Sequence, residues 1–357
     1  MRNIVIICIS IIILGTIGCS DLSDTHEWLK KITKKGEKVY TLKELEDLEE
    51  IAFYDNRQIE DISLIKHLKK LKVLYFFNVK KVSDISPLKS LKNLERLSLG
   101  TTKVKDISVL KYLTKLKHLY LFDTKTSDIS SLKYLTNLEE LSFMHTKNIK
   151  DISVLKYLTK LKYLSLGVLE ISDISSLKYL KNLEKLSIAL TKVEDLSPLK
   201  KLNKLIKLEI NDNENVSNIP SLKEMKNLKE LELSVCKIGN LNPIKELVRL
   251  EFLILHRNKL LSDLSPLKNL DNLKYLDISY TNVSDLSPLK NLKNLKTIVI
   301  WDPKVKNFLP LKSLKNLKQL TLSQIDEHGQ ISESKSKYSD KEKEEIKRLL
   351  PNCKITF

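Results

Sequence analysis

The sequence predicts an α/β solenoid in which one short unit, a strand followed by a tight turn, is stacked many times. Three observations predict it: a period of 22 or 23 residues, a strand-like alternation early in each period, and a turn-forming pattern late in it. A fixed short period indicates structural units that contact only their neighbours. The units begin at Leu48, Leu71, Leu94, Leu116, Leu138, Leu161, Leu183, Leu205, Leu228, Leu250, Leu273, Leu295 and Leu317.

The first half of each unit has the alternation of a β-strand. In the unit that begins at Leu94, two leucines, Leu97 and Leu99, flank Ser98 and therefore lie on one face of a strand. Because the units are translations of one another, successive strands run in the same direction. The sequence therefore predicts a parallel sheet of about thirteen short strands.

The second half of each unit predicts a tight, 3₁₀-like return on the side opposite the sheet. Asp and Asn accept backbone hydrogen bonds at the start of a helical turn, and Pro suits an opening turn because it has no N–H to donate. Asp or Asn recurs at one position, and Pro recurs three residues later. These residues are Asp84, Asp106, Asp128, Asp151, Asp173, Asp195, Asp263, Asp285, Asn218, Asn240 and Asn307, with Pro87, Pro198, Pro243, Pro266, Pro288 and Pro310.

These units resemble the short leucine-rich repeats of the internalin-like type, whose pattern is LxxLxLxxNxIxDIxPLxxLxx. The resemblance extends from Leu48 to about Leu322 and implies a right-handed solenoid with the parallel sheet on its concave side. One position departs from the pattern, because threonine mostly replaces the asparagine that follows the strand. A hydroxyl can still bond to the neighbouring backbone, so we expect a modified ladder. The residues are Thr102, Thr124, Thr146, Thr191 and Thr281, while Asn213 and Asn258 keep asparagine.

The N-terminus has the composition of an export signal. Arg2 precedes an apolar run over residues 4–14, which is too short to span a bilayer comfortably and ends at small residues. The stretch Thr16-Ile17-Gly18-Cys19 resembles the lipobox of bacterial lipoproteins, although threonine stands where leucine is usual. The resemblance implies a lipid on Cys19 after cleavage. The alternative is an ordinary cleaved signal with an incidental cysteine, which would leave the protein secreted.

The chain divides into four predicted segments. Residues 1–18 are a lipoprotein signal peptide, and residues 19–47 are a tether and N-terminal cap, with Trp28 and Leu42 over the first unit. Residues 48–325 form the solenoid of about thirteen units. Residues 326–357 are a polar loop and a C-terminal cap, in which a helix is followed by a short strand, because a solenoid must cover its terminal cores.

The formal net charge of +17 favours anionic partners in general. Lysines recur at fixed positions of the units, however, and no dense basic run with interleaved aromatic residues marks a nucleic-acid groove. We therefore expect no nucleic-acid partner.

Two cysteines, Cys236 and Cys353, remain beyond the leader and Cys19. They are about five units apart, roughly 24 Å at ~4.8 Å per strand, and a disulfide needs Cα atoms within about 7 Å. We expect both to be apolar fillers.

Aromatic residues beside the strand leucines are the candidate binding residues. By alternation they point out of the concave face, where exposed aromatic side chains are typical of protein-binding hot spots. The alternative is that they pack against one another and stiffen the sheet. They are Tyr75, Phe77, Tyr120, Phe122, His145, Tyr163, Phe252, His256, Tyr275, Tyr280 and Trp301. A second column, Tyr112, Tyr134, Tyr157 and Tyr179, is expected to form a stacked flank on the convex side.

No motif in the sequence predicts catalysis. There is no nucleophile motif and no phosphate-binding glycine loop. The Asp column could suggest calcium, but one carboxylate per unit is a poor cage for that ion. We therefore expect no catalytic residue, no metal, no cofactor and no enzymatic activity.

Taken together, the residues and the resemblance predict an exported protein, held on the cell surface or the periplasmic side by a lipid. It would recognise another protein through its concave sheet, and the family likeness implies adhesion or host interaction. The alternative is an envelope scaffold that binds a partner within the same cell.

Overall fold

The computed structural model describes residues 47–55, 59–301, 304–323 and 338–357, and the backbone of residues 6–8. Cys19 and the predicted N-terminal cap, with Trp28 and Leu42, lie outside the described residues. The chain forms two compact parts, an N-terminal part, Met1–Asn182, and a C-terminal part, Leu183–Phe357.

Each part contains a parallel sheet whose strands are neighbours in chain order, so the predicted solenoid of parallel strands is confirmed. The N-terminal part holds β1 (Ile6–Cys8), β2 (Glu50–Tyr54), β3 (Val73–Phe77), β4 (Arg96–Gly100), β5 (His118–Phe122), β6 (Glu140–Met144) and β7 (Tyr163–Gly167). The C-terminal part holds β8 (Lys185–Ala189), β9 (Lys207–Asn211), β10 (Glu230–Glu232), β11 (Phe252–Ile254), β12 (Tyr275–Asp277), β13 (Thr297–Val299), β14 (Gln319–Thr321) and β15 (Lys354–Thr356). Strand β1 lies within the predicted leader, so cleavage there would free the edge of β2.

Short 3₁₀ helices close the units, as the turn pattern predicts. The aspartate sets the start of each turn: in one unit, Asp106 Oδ1 accepts the N–H of Ser108 at 2.7 Å. Asn218 departs from this rule, and the described residues of its unit form no 3₁₀ helix. The helices are Ser63–His67, Ser86–Ser90, Ser108–Tyr112, Ser130–Tyr134, Ser153–Tyr157, Ser175–Tyr179, Ser197–Lys201, Asn242–Ile244, Ser265–Leu267, Ser287–Leu289 and Leu309–Ser313.

Leucine, isoleucine and valine fill the space between the strands and the turns. A fully buried aliphatic side chain of this size stabilises a fold by about 1.5–3 kcal/mol. Aromatic residues replace leucine at one end, where Phe53 stacks on Phe76 with ring centroids 5.3 Å apart. In the unit that begins at Leu94, the buried aliphatic side chains are at most 1% exposed and are Leu94, Leu97, Leu99, Val104, Ile107, Leu110 and Leu113.

The expected modified ladder after the strands is found at Asn258 and Thr146 but not at every threonine. Asn258 makes the fuller set of bonds: Nδ2 donates to the Leu233 carbonyl of the preceding unit at 2.5 Å, and Oδ1 accepts from the N–H of Ile238 at 2.9 Å. Thr146 has only a hydroxyl at this position, which donates to the Leu121 carbonyl of the preceding unit at 2.9 Å. Thr146 thus keeps the bond to the preceding unit, whereas the hydroxyls of Thr102 and Thr281 donate to carbonyls of their own units, Leu99 and Ile278.

A column of left-handed residues follows the strands. Their φ angles lie between 48° and 57° at Asp55, Asn78, Thr101, Asp123, His145, Val168, Leu190, Asp212, Val235, Arg257 and Tyr280. The conformation turns the backbone N–H toward the next unit, as when His145 N–H donates to the Gly167 carbonyl at 3.0 Å. A left-handed residue costs roughly 1–2 kcal/mol unless it is Gly, Asn or Asp. The β-branched Val168 and Val235 are therefore strained.

The C-terminal segment forms the predicted helix and strand, α1 (Asp340–Leu349) followed by β15. The side chains of Ser339 and Glu342 cap the helix reciprocally. Bonds from Lys306, at 2.9 Å, and from Ser339 lower the pKa of the Glu342 carboxyl to about 2. Ile346 and Leu350 on this segment are buried.

Both described cysteines are free, in agreement with the sequence. Cys236 is buried, and its burial raises the pKa of the thiol to about 11. Cys353 is partly exposed.

Replacing the strained Val168 with asparagine should raise the free energy of unfolding by about 1 kcal/mol, because Asn tolerates the left-handed conformation. Urea unfolding monitored by circular dichroism measures it. The control is V248N, at an exposed valine that is not among the left-handed residues. A V168N protein no more stable than wild type would contradict the assigned strain.

Candidate protein-binding surface

The predicted aromatic residues fall into two groups, one in each part of the chain. The first sheet patch consists of Tyr75, Phe77, Tyr120, Phe122, His145 and Tyr163, all in the N-terminal part. The second sheet patch consists of Phe252, His256, Tyr275, Tyr280 and Trp301, all in the C-terminal part.

Two phenylalanines dominate the exposed surface of the first sheet patch. Phe77 is 50% exposed and Phe122 is 38% exposed, at the ends of β3 and β5. Gly100 pairs with Phe77 on the intervening strand, and a Cβ added there would lie 3.8 Å from the Phe77 ring. Gly100 is itself buried and presents no side chain between the strands that carry the two rings. The strands thus hold two large apolar side chains in water.

Some rings of the first sheet patch also contact their neighbours. Phe77 lies 6.0 Å from Tyr54, and Phe122 meets His145 edge-on at 5.4 Å. Phe122 and His145 line a groove of about 510 Å³ together with Lys125, Lys147 and Asn148. Lateral packing and exposure therefore occur together, and the two alternatives from the sequence are not exclusive.

Glu140 is a charged centre of this patch that the sequence analysis missed. The Tyr120 hydroxyl donates to Glu140 Oε2 at 2.5 Å, and His118 Nδ1 lies 3.1 Å from the same oxygen. Burial and the hydrogen bond to Glu140 raise the pKa of Tyr120 well above its ordinary value. Burial alone would raise the pKa of Glu140, but bonds from Tyr120 and His118 outweigh it, and the pKa is lowered. The hydroxyl of Tyr120 is thus held in place by a carboxylate.

The second sheet patch combines aromatic packing with titratable groups. Phe252 stacks beside Tyr275 at 6.2 Å, and His256 meets Tyr280 edge-on at 5.2 Å. Burial, and then the charge of Asp277, raises the pKa of Tyr275 to about 12. Burial lowers the pKa of His256, and Asp277 opposes that effect. These rings are mostly half-buried, and Phe252 is the most exposed at 42%.

Three of the predicted placements are wrong. Trp301 is only 5% exposed, because the chain is covered on both faces there and Val299 and Ile300 beside it are also buried. His145 and Tyr280 do not lie on strands but in the left-handed positions after them. Strand alternation ends at that position, so it no longer predicts where these side chains point.

The tyrosine column on the turn side was also wrongly predicted to stack. Tyr112 is 36% exposed, and Tyr134, Tyr157 and Tyr179 are each 49% exposed. In the part of the chain that the structure describes, their rings contact lysine ammonium groups rather than one another.

Within the described ranges, the structure contains no group of three or more His, Cys, Asp or Glu side chains arranged to hold a metal ion. No helix in the described part is both long enough and apolar enough to cross a bilayer.

Comparison with known proteins gives relatives of this fold. A family model for leucine-rich repeats in two copies matches residues 69–112 and 114–157. An internalin (InlF) from Listeria monocytogenes is 30% identical, with a TM-score of 0.73 over 85% of this chain and 87% of that one. A leucine-rich-repeat protein from Leptospira interrogans is 21% identical, with a TM-score of 0.66 over 88% of this chain and 91% of that one, and supports the fold alone. A search of curated proteins gave no match.

Replacing Glu140 with glutamine should lower the pKa of Tyr120, because the neutral amide removes the charge that opposes ionisation of the hydroxyl. Burial of the ring remains, so the pKa should stay above the ordinary 10.0. The measurement is a pH titration by NMR of protein labelled with ¹³Cζ-tyrosine. E230Q, at the equivalent strand position in the C-terminal part, is the control, and an E140Q titration that matches it would contradict the assigned network.

Proposed function

The chain belongs to the internalin family of leucine-rich-repeat proteins, and we propose that it is an exported protein that binds a partner protein through the first sheet patch. The observation that carries the proposal is the pair of exposed rings, Phe77 at 50% and Phe122 at 38%, on either side of Gly100. The partner belongs to a host surface, and binding serves adhesion.

The energetics of the first sheet patch favour binding. Truncation of a buried aromatic anchor in an interface commonly costs about 2 kcal/mol or more. The strands hold the backbone of Phe77 and Phe122 fixed, and Tyr120 is tied to Glu140 at 2.5 Å, so little conformational entropy is lost on association. Exposed Phe side chains would otherwise be an aggregation liability, and a partner that covers them removes it.

We further propose that a lipid on Cys19 retains the protein at the membrane after cleavage of residues 1–18. The support is the sequence Thr16-Ile17-Gly18-Cys19 at the end of an apolar run. Each acyl methylene buried in a bilayer contributes about 0.8 kcal/mol, so two or more chains give stable retention.

Replacing Tyr120 and Phe122 with serine should weaken partner binding by at least about 30-fold, the equivalent of ~2 kcal/mol. The measurement is binding of the fluorescently labelled mature protein to intact epithelial cells, with and without prior trypsin treatment of the cells. Trypsin sensitivity identifies a protein partner.

The control for that experiment is the Y134S/Y157S protein, which removes two exposed rings from the turn side. Circular dichroism should show the same fold in all three proteins. Equal binding by wild type and Y120S/F122S, or binding that survives trypsin, would exclude this role for the patch.

Replacing Cys19 with serine should abolish incorporation of an alkyne-labelled fatty acid and release the protein from the membrane fraction into the medium. The control is C353S, which changes a free cysteine far from the leader. Continued fatty-acid labelling of C19S would show that the lipid is elsewhere.

A further inference from the structure

A second surface lies on the turn side of the N-terminal part, where a Lys-Tyr pair recurs in four successive units. We call it the turn-side stripe. In each pair the lysine ammonium lies over the ring of the tyrosine that follows it, at 5.1 or 5.2 Å from the centroid. All eight side chains are exposed, and they are Lys111, Tyr112, Lys133, Tyr134, Lys156, Tyr157, Lys178 and Tyr179.

Among the residues that the structure describes, the four lysines of the turn-side stripe are not held in salt bridges. In the described residues, no carboxylate forms an ion pair with these four ammonium groups. The aspartate of each turn, such as Asp128, accepts the N–H of the serine two residues on, here Ser130 at 2.8 Å, rather than a lysine ammonium. Residues 94–182 contain 15 Lys and Arg against 9 Asp and Glu. These four units therefore carry a net positive charge.

The arrangement of the turn-side stripe is one-dimensional. One pair occurs in each unit of 22 or 23 residues, always at the last residues of the 3₁₀ helix, such as Ser130–Tyr134 and Ser153–Tyr157. Equivalent residues of stacked units lie in a row along the stacking direction. A row of evenly spaced cations is complementary to a linear polymer with evenly spaced anions, rather than to a single compact ligand.

We propose that the turn-side stripe binds a linear sulfated glycan. The ammonium groups pair with sulfates along the chain, and the ring faces of the tyrosines turned away from the ammonium groups pack against the C–H faces of the sugar rings. The tyrosine hydroxyls add hydrogen-bond donors. Aromatic rings placed beside every cation are what distinguish a sugar polymer from inorganic polyphosphate, which has no apolar face to contact them.

This binding is additional to the proposed protein recognition and uses a different side of the same units. The strands that hold Phe77 and Phe122 are separated from the turns by the buried leucines, such as Leu110 and Leu132. A variant of the turn-side stripe therefore leaves the first sheet patch intact, and the two proposals can fail separately.

The test measures binding of the whole protein to immobilised heparin by surface plasmon resonance. The variant K111Q/K133Q/K156Q/K178Q should bind at least about 10-fold more weakly, because four exposed charge contacts of modest strength are lost. The matched control is K200Q/K245Q/K268Q/K290Q, which removes the same charge at the same turn position in units without a tyrosine. The control should lose at most about 2-fold.

The variant Y112A/Y134A/Y157A/Y179A separates the ligand classes, because it keeps every lysine. It should weaken binding to heparin several-fold and leave binding to inorganic polyphosphate unchanged. Equal losses in both lysine variants would mean that net charge alone attracts heparin, and equal losses for polyphosphate and heparin would mean a general polyanion surface. Either result overturns the proposal, as does stronger binding to phosphatidylglycerol vesicles than to heparin.

Discussion

The hydrogen bond that most of the left-handed residues donate to the next unit is the constraint on which the rest of the structure depends. The strands are only three to five residues long, at the short end of the usual range. The left-handed residue extends the ladder past the strand, as where Asp123 N–H donates to the Met144 carbonyl at 2.8 Å. It then turns the chain toward the core. Register is therefore fixed at the end of each strand, and the side chains beside the leucines are free to vary.

This separation between residues that build the unit and residues that are free to vary explains why the fold could be predicted from the sequence. Residues that build the unit recur in every unit, since each must fill the same space. Leu97 and Leu99 in one strand have their equivalents in the others, and Asp106 has its equivalents in the other turns. The helix and strand of the C-terminal segment were also predictable, because Ile346 and Leu350 lie on one apolar face.

The surface was less predictable, since its contacts connect positions that do not repeat. Glu140 accepts a hydrogen bond from the Tyr120 hydroxyl because a carboxylate and a tyrosine happen to lie on adjacent strands. This pair does not recur in the other units, so the repeat does not predict it. Strand alternation predicts an exposed side chain at Trp301, but the surrounding residues bury it. The tyrosines of the turns repeat, which suggested mutual stacking. Lysines at the preceding position contact the rings instead, as Lys133 does with Tyr134 at 5.1 Å.

A solenoid held together by its backbone can present different chemistry on its two sides without conflict. In the N-terminal part, the residues around Phe77 and Phe122 are aromatic with one anchoring carboxylate, which suits a surface that excludes water on contact. The residues around Lys133 and Tyr134 are cationic and remain solvated. Because neither set contributes to the apolar interior, changes in one impose no packing cost on the other. Recognition on the two sides can therefore be adjusted independently within the same units.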